Sequence, residues 1–528
     1  MADPATADDK RIKRIAIVGG GTAGWLAAGV LARVLHENRC TLTVIESPQI
    51  GTVGVGEATI PPIIDLLRFL EIDIADFIRH TRSTYKLGIK FKDWRRGADT
   101  YWHPFGTFGT TINRRPFFHY WHKARADGIA LELNDYSVCA ALANAGKVRF
   151  PGTADQGPAA GLRYALHFDA GLVAQYLRAY SEKRGVVRLE RTVSAATQRE
   201  DGFLDELIFV GGGRLQADLF IDCSGFGGLL IEQSLKTGYL NWNDVLPCDR
   251  AVAVPTQLVT ARAPYTQASA RSAGWQWRIP LQHRVGNGYV YSSAHLGDTQ
   301  AHAELLASLD GQPLADPRLL RFVAGRRKLF WNRNCIALGL ASGFLEPLES
   351  TSIHLVMSGV YNLLDHFPDK DFAQSNIDSY NRELIEEVEH IRDFIVLHYC
   401  ATQREDTPLW RYCRSMRLPD SLTERIELYK ATGRIRVQAR ELFTDLSWFY
   451  IFEGLGIQPA AYDPLVDGPR FARARQIMQV IRGQIADYVR NAPSHDSHFA
   501  AAIDGRFDDP LAGPVGGRGV GSVESATR

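Results

Sequence analysis

No two of the seven cysteines, Cys40, Cys139, Cys223, Cys248, Cys335, Cys400 and Cys413, form a C-x-x-C pair. A zinc site or dithiol redox centre built on that spacing is therefore excluded, which leaves reduced structural thiols. Charge of one sign is also lacking: the formal net charge is +1, so no global field draws in nucleic acid or an anionic membrane. No apolar run approaches spanning length, and Met1 to Arg14 is polar, without the apolar core of a signal peptide. The expectation is a cytoplasmic protein whose partners are small molecules, with no nucleic acid and no membrane. Internal repeats are absent too. What is present is an ordinary globular composition, 45% hydrophobic and 23% charged over 528 residues, enough chain for two or three folding units or one large elaborated unit.

Ile15 to Val18 is a short apolar run ending in glycines, and from Thr22 to Leu35 the residues Trp25, Leu26, Val30, Leu31 and Val34 recur at helical spacing. A second run, Leu42 to Ile45, ends in Glu46 and completes a βαβ unit, so the chain opens as doubly wound α/β. Ala217 to Cys223 and Cys335 to Leu340 read as further buried strands that extend this first sheet. Thr84 to Phe91 alternates, with Tyr85, Leu87, Ile89 and Phe91 on one face, as in one half-buried strand on which Lys86 and Lys90 share the other. After about Ser350 the period becomes helical. Pro419-Asp420-Ser421 starts a helix that Gly433 stops, and Phe471, Ile477, Ile481, Ile485 and Val489 mark a final one. Beyond Pro510 the glycine-rich segment reads as a disordered tail.

Gly19-Gly20-Gly21-Thr22-Ala23-Gly24 matches G-x-G-x-x-G between a strand and a helix. In that motif Gly19 makes the turn, Gly21 lets the backbone approach a pyrophosphate, and Gly24 lets helix and strand pack closely. Helix N-terminal N–H groups favour the phosphate, and Glu46 is placed to accept from ribose hydroxyls. Asp218 to Gly225 looks like a later strand that closes over FAD, with Asp222 near the ribityl chain and Gly225 beside it. FAD is favoured over NAD. No second G-x-G-x-x-G is present for NADPH, so the flavin is expected to be reduced elsewhere and delivered.

Gly274 to Pro280 contains W-x-W-x-I-P in Trp275, Trp277, Ile279 and Pro280. With GVGEATIP (Gly54 to Pro61), YKLGIKFKDW (Tyr85 to Trp94), HFDAG (His167 to Gly171) and FLEPLESTSI (Phe344 to Ile353), the chain resembles the flavin-dependent tryptophan halogenases over most of residues 12 to 360. The resemblance implies an enzyme that uses reduced FAD from a separate NADH-dependent flavin reductase, with dioxygen, to oxidise bromide or chloride to hypohalous acid. It adds Thr22, Ala23, Glu57, Ala58 and Ile353 to the flavin contacts. Trp275 and Trp277 would keep the organic substrate from the flavin.

As an isolated residue on an alternating strand, Lys86 would read as part of a solvated face, and Glu349 as a carboxylate complementing a helix capped by Ser350. The resemblance instead makes them the catalytic pair: Lys86 meets hypohalous acid and Glu349 takes the ring proton. Backbone N–H groups of Thr351 and Ser352 are the halide site, and Ser352 stands where the family usually has glycine, which points to bromide over chloride. His103 and Phe105 match an aromatic clamp on the substrate, with Trp448 nearby. The acidic and aromatic lid of tryptophan halogenases has no counterpart between Gly433 and Gly454, so an open pocket for an indole-like ring is expected.

The organisation implied is an FAD-binding Rossmann-type module with additional sheet at residues 10–360, a helical substrate-covering region at 361–505 and a tail at 506–528, with a homodimer left open. The alternatives are a flavin monooxygenase that hydroxylates an aromatic substrate, told apart by halide-independent product, and a flavin-bound scaffold without turnover.

Overall fold

The computed structural model describes residues 10–35, 40–49, 56–129, 131–150 and 157–503; Gly54, Val55 and the expected tail lie outside the described residues. Arg14–Val18, Thr22–Leu35 and Thr41–Glu46 form the expected strand, helix and strand. They open a six-stranded sheet whose order runs Trp331–Asn332, Cys335–Ala337, Leu219–Asp222, Arg14–Val18, Thr41–Glu46, Val187–Glu190, parallel except at the Trp331 edge. Both late apolar runs thus join the first sheet. The second ends at Ala337, where Gly339–Ala341 turns into a short 3-10 helix. Ile15, Ile17, Leu219 and Ile221 are buried on one face, and Ala16, Val18 and Phe220 are buried on the other against Leu204, Leu207 and Phe209; each large apolar side chain so buried contributes about 1.5–3 kcal/mol.

A second, seven-stranded sheet lies beside it in the order Arg318–Arg321, Arg250–Thr256, Val285–Tyr291, Gly274–Pro280, Thr266–Ala270, Gly88–Lys92, Thr100–Pro104. It is antiparallel except where Thr266–Ala270 runs parallel to Gly88–Lys92. The tryptophan motif is thus an interior strand of this sheet. A small sheet of Gly56–Ala58, Ala165–Asp169 and Thr84–Lys86 packs through Gly56–Ala58 on the strands Gly274–Pro280 and Val285–Tyr291.

The segment from Thr84 to Phe91 departs from the single half-buried strand expected. It is two strands in two sheets, Thr84–Lys86 and Gly88–Lys92, and Thr84 to Ile89 are buried on both faces. The break falls at Leu87, whose N–H donates to Pro264 O and whose carbonyl accepts from Phe105 N–H. Gly88 permits the crossing, since a Cβ there would lie 2.6 Å from the His103 carbonyl oxygen. Lys90 consequently does not share a face with Lys86: its ammonium lies over the rings of Trp102 and Tyr265, at 5.5 and 5.8 Å.

From Ser352 onward the described regular elements are helical, beginning with Ser352–Asp365 and Gln374–Cys400. The helix Asp420–Thr432 starts after Pro419 and ends on Gly433 in the left-handed conformation, as expected. Pro469–Arg490 is not the final helix, because His495–Ile503 follows it. That last helix returns to the small sheet: His495 Nε2 accepts from Tyr85 N–H at 3.3 Å, and the Tyr85 ring stacks on Phe499 among Phe150 and Tyr164. Among the described residues no helix is long and apolar enough to cross a membrane.

The antiparallel meander Val193–Gln198, Leu204–Phe209, Arg214–Gln216 is fastened to the main sheet by buried Asn334. Its side chain accepts from Leu204 N–H at 2.9 Å and donates to Leu204 O and Asp218 O at 2.8 and 3.2 Å. Asn334→Ala is expected to cost about 2–3 kcal/mol, because it strands both Leu204 backbone groups, read as a lowered melting temperature.

Candidate functional site

The glycine turn opens into a cavity of about 560 Å³ lined by Gly19, Gly20, Gly21, Glu46, Ser47, Arg178, Arg188, Arg191 and Ser224, among others. Its walls explain the motif glycine by glycine. A Cβ on Gly24 would lie 1.8 Å from the Gly19 carbonyl oxygen, so helix and turn can meet only without it, whereas a Cβ on Gly21 would meet nothing within 4 Å. Gly21 therefore faces open space that a close-packed ligand could use. Glu46 closes the far end, already holding Trp25 Nε1 at 3.2 Å and the Arg188 guanidinium. Arg188, Arg178 and Arg191 were not singled out from sequence, since nothing marks a surface arginine as a cavity residue.

Beyond Gly21 and Cys223 the space continues into a second cavity of about 320 Å³ with mainly apolar walls, including Ala58, Trp277, Ile279, Val290 and Ile353. Thr22, Ala23, Glu57, Gly225, Thr266, Thr351 and Ser352 line it as well. Trp275 does not: it points at Trp94 and Trp277 on the buried side, with ring centroids 6.3 and 6.2 Å away. Pro280 is held through its carbonyl, which accepts from Thr84 Oγ1 at 2.6 Å. Asp222 is not on either wall. Its Oδ1 accepts from Ser224 and its Oδ2 from Leu230 and Ile231 N–H, so both oxygens serve the backbone beneath Cys223, Ser224 and Gly225. Glu57 has no partner among the described residues, and burial pushes its carboxyl up to about 7. The two spaces suit a dinucleotide that ends in a flat aromatic ring: a polar, arginine-lined chamber at a glycine turn leads into an apolar slot.

On the other side of the Pro347–Ser352 turn stands Lys86, with no exposed surface. Its ammonium donates to Thr59 O at 2.9 Å and Ser350 Oγ at 2.8 Å, and lies 5.3 Å from the Phe105 ring. Burial lowers its pKa to about 7 against the opposing pull of Glu349, so neutral amine and ammonium coexist near neutral pH. Ser350 is not the helix cap expected. It has φ 61°, Thr351 occupies the cap position without a side-chain cap bond, and the helix starts at Ser352. A left-handed serine is strained by about 1 kcal/mol or more, and it is the conformation that delivers Oγ to Lys86. Thr351, Ser352 and Ile353, whose N–H groups at the helix start have no intrahelical acceptors, line the flat cavity.

Glu349 is buried between two histidines. Its Oε2 accepts from His103 Nδ1 at 2.7 Å, and its Oε1 lies 2.8 Å from His398 Nε2, whose Nδ1 is 2.9 Å from the Tyr101 hydroxyl. Burial pushes the carboxyl up, but His103 and His398 outweigh it and hold Glu349 below the usual carboxylate range. His398 itself is pushed down by burial, with Glu349 opposing. It was missed from sequence, although a histidine inside the apolar run Phe394 to Tyr399 is a readable signal. Three residues earlier, Glu346 receives the Tyr399 hydroxyl at 2.9 and 3.0 Å, and burial pushes it up to about 8. Trp448 reaches this site indirectly, through Phe394, which packs on His103. Trp448, Phe449 and Tyr450 are buried in the helix Asp445–Gly454.

The family model for tryptophan halogenases matches residues 14–470. The chain belongs to the flavin-dependent tryptophan halogenase family. Tryptophan 6-halogenase ThaL of Streptomyces albogriseolus is 36% identical over 85% of this chain and 91% of its own length, and tryptophan 7-halogenase RebH of Lentzea aerocolonigenes is 34% identical over 91% and 96%. Among solved structures, BrvH, a flavin-dependent halogenase from Brevundimonas sp. BAL3, superposes with a TM-score of 0.90 at 44% identity, covering 93% of this chain and 100% of that one. The family implies FAD and a halide, and the two cavities fit the flavin.

Two expectations follow. Gly24→Ala should lower the melting temperature and abolish FAD binding, whereas Gly21→Ala should leave the melting temperature unchanged and weaken only the FAD titration. For Lys86, the unfolded chain keeps lysine's ordinary 10.5 while the folded state holds about 7. Between those values the unfolded chain binds a proton that the folded chain does not, so this group's burial cost is fully present below about pH 7 and is relieved as pH rises. Lys86→Met should therefore stabilise the protein most at pH 6 to 7, with a gain that shrinks toward pH 10, measured by urea unfolding across that range.

Proposed function

We propose that this halogenase oxidises bromide or chloride to hypohalous acid and uses it to halogenate an indole-like aromatic ring at Lys86 and Glu349. The observation that carries the reading is the pairing of a fully buried lysine, poised near neutrality, with a buried ionised carboxylate joined to it through adjacent Ser350. Reduced FAD from a separate NADH-dependent reductase, with dioxygen, would supply the oxidising equivalents.

The chain's own residues do the rest. Backbone N–H groups of Thr351 and Ser352 hold the halide at the helix start, facing the flat cavity. Trp277 and Ile279 wall that cavity and keep the organic ring out. Lys86 receives hypohalous acid, polarising its oxygen as ammonium or attacking its halogen as the neutral amine. Glu349, held ionised and aimed by His103 and His398, accepts the ring proton as aromaticity returns. His103 and Phe105 border the place where the ring must lie. The Ser352 side chain crowds the halide position and favours bromide; equal bromide and chloride products in a competition assay would refute that preference.

The deciding assay is mass spectrometry of indole incubated with the protein, FAD, a flavin reductase, NADH and bromide or chloride. Halogenated indole is expected from the wild type, with at least a hundredfold loss in Lys86→Ala and Glu349→Gln. Hydroxyindole formed without halide would overturn the proposal in favour of a hydroxylase.

A further inference from the structure

His167 of the HFDAG segment takes no part in the roles above, yet it is fully buried in the middle strand of the small sheet, opposite both Ala58 and Thr84. Its Nδ1 lies 3.1 Å from Thr84 Oγ1 and its Nε2 lies 2.9 Å from Thr266 Oγ1. The Thr84 hydroxyl has one hydrogen, and Pro280 O, at 2.6 Å, takes it. Towards His167, Thr84 can then only accept, which places the imidazole proton on Nδ1. Burial, with Lys86 and His495 nearby, holds the ring neutral well below the ordinary histidine range, so Nε2 carries a bare lone pair. Thr266 must donate its hydrogen there.

The consequence reaches the flat cavity, of which Thr266 is a wall residue together with Trp277 and Ile279. An unconstrained threonine hydroxyl can turn to donate or to accept. With its hydrogen fixed on His167, Thr266 has only lone pairs left to offer. We propose that Thr266, oriented by His167, is a cofactor-positioning residue: an acceptor-only oxygen that takes a ring N–H of the bound flavin. The inference rests on the flavin reading of the cavity. A flavin ring carries an N–H in its oxidised form and more when reduced, and a buried N–H without an acceptor is costly. The same relay runs through Thr84 to Pro280, so the flavin's hydrogen bond, the strand that bears Lys86 and the end of the tryptophan motif share one anchor.

The test is a titration of wild type, Thr266→Val and Thr266→Ser with FAD, and anaerobically with dithionite-reduced FAD, followed by flavin fluorescence and absorption. Valine should lose about fivefold to tenfold in affinity for at least one redox form, the range that one lost hydrogen bond gives, and shift the bound flavin's visible band. Serine, which keeps the hydroxyl, should stay within twofold. Wild-type affinity and spectrum in the valine variant with both redox forms would overturn the proposal while leaving the cofactor reading intact; failure of the wild type to bind FAD at all would overturn both. Should the valine chain not fold, Thr266→Ala, which leaves room for a water beside His167, is read by the same titration against the same outcomes.

Discussion

A buried ammonium has few places to put its hydrogens, and Lys86 puts two of them on Thr59 O and Ser350 Oγ. That arrangement sets the conditions for the rest of the candidate site. The strand must break at Leu87 so that Lys86 ends in the small sheet while Lys90 goes to the large one. Ser350 turns left-handed, which brings its hydroxyl within reach, and the following helix starts only at Ser352, with its first residues lining the flat cavity. One hydrogen bond thus links the position of the lysine to the geometry of the neighbouring anion-friendly helix start. Relaxing it would release the strain at Ser350 and move both.

The same turn carries two buried carboxyls with opposite fates. Glu349 faces two histidines and stays ionised; Glu346 faces a tyrosine hydroxyl and is pushed towards the neutral acid. Burial acts on both in the same direction, so the difference lies in the partners: His103 of the strand Thr100–Pro104 and His398 of the long helix Gln374–Cys400 for Glu349, and the Tyr399 hydroxyl of that helix for Glu346. Adjacent residues on a helix point to different sides, and here His398 and Tyr399 reach the two carboxyls separately. The helix is therefore more than a cover for the site, because it supplies one of the two histidines that keep Glu349 ionised and the hydroxyl that meets Glu346.

How much of this was legible in the sequence depends on whether the information was local. The glycine turn, its flanking strands and the helix ending at Gly433 follow from short-range rules about turns, periodicity and caps, and they stand as read. Lys86 and Glu349 were singled out through their motifs, and the structure buries both and joins them through Ser350. The break at Leu87 was not legible, because alternating polar and apolar residues look the same in one half-buried strand as in two short strands buried on both sides. Arg188 was missed for another reason: its partner Glu46 lies 142 residues away, and no local pattern encodes that. His398 did carry a local signal, and Asp222 differs from its reading because its oxygens bind Ser224 and nearby backbone N–H groups instead of lining the cavity. Ser350 misled because serine is a good helix cap in general, and only the distant lysine makes a different use of it.

The link between the last helix and the strand of Lys86 sets an order of assembly. Tyr85 N–H finds its acceptor in His495, 410 residues further along the chain. During synthesis the lysine strand leaves the ribosome early, and the His495 acceptor and the Phe499 ring that stacks on Tyr85 arrive only some 410 residues later. This half of the site therefore closes late, through a contact of very long sequence separation, and a chain released before that helix is translated would carry Lys86 and Glu349 and still lack one of the contacts on the lysine strand.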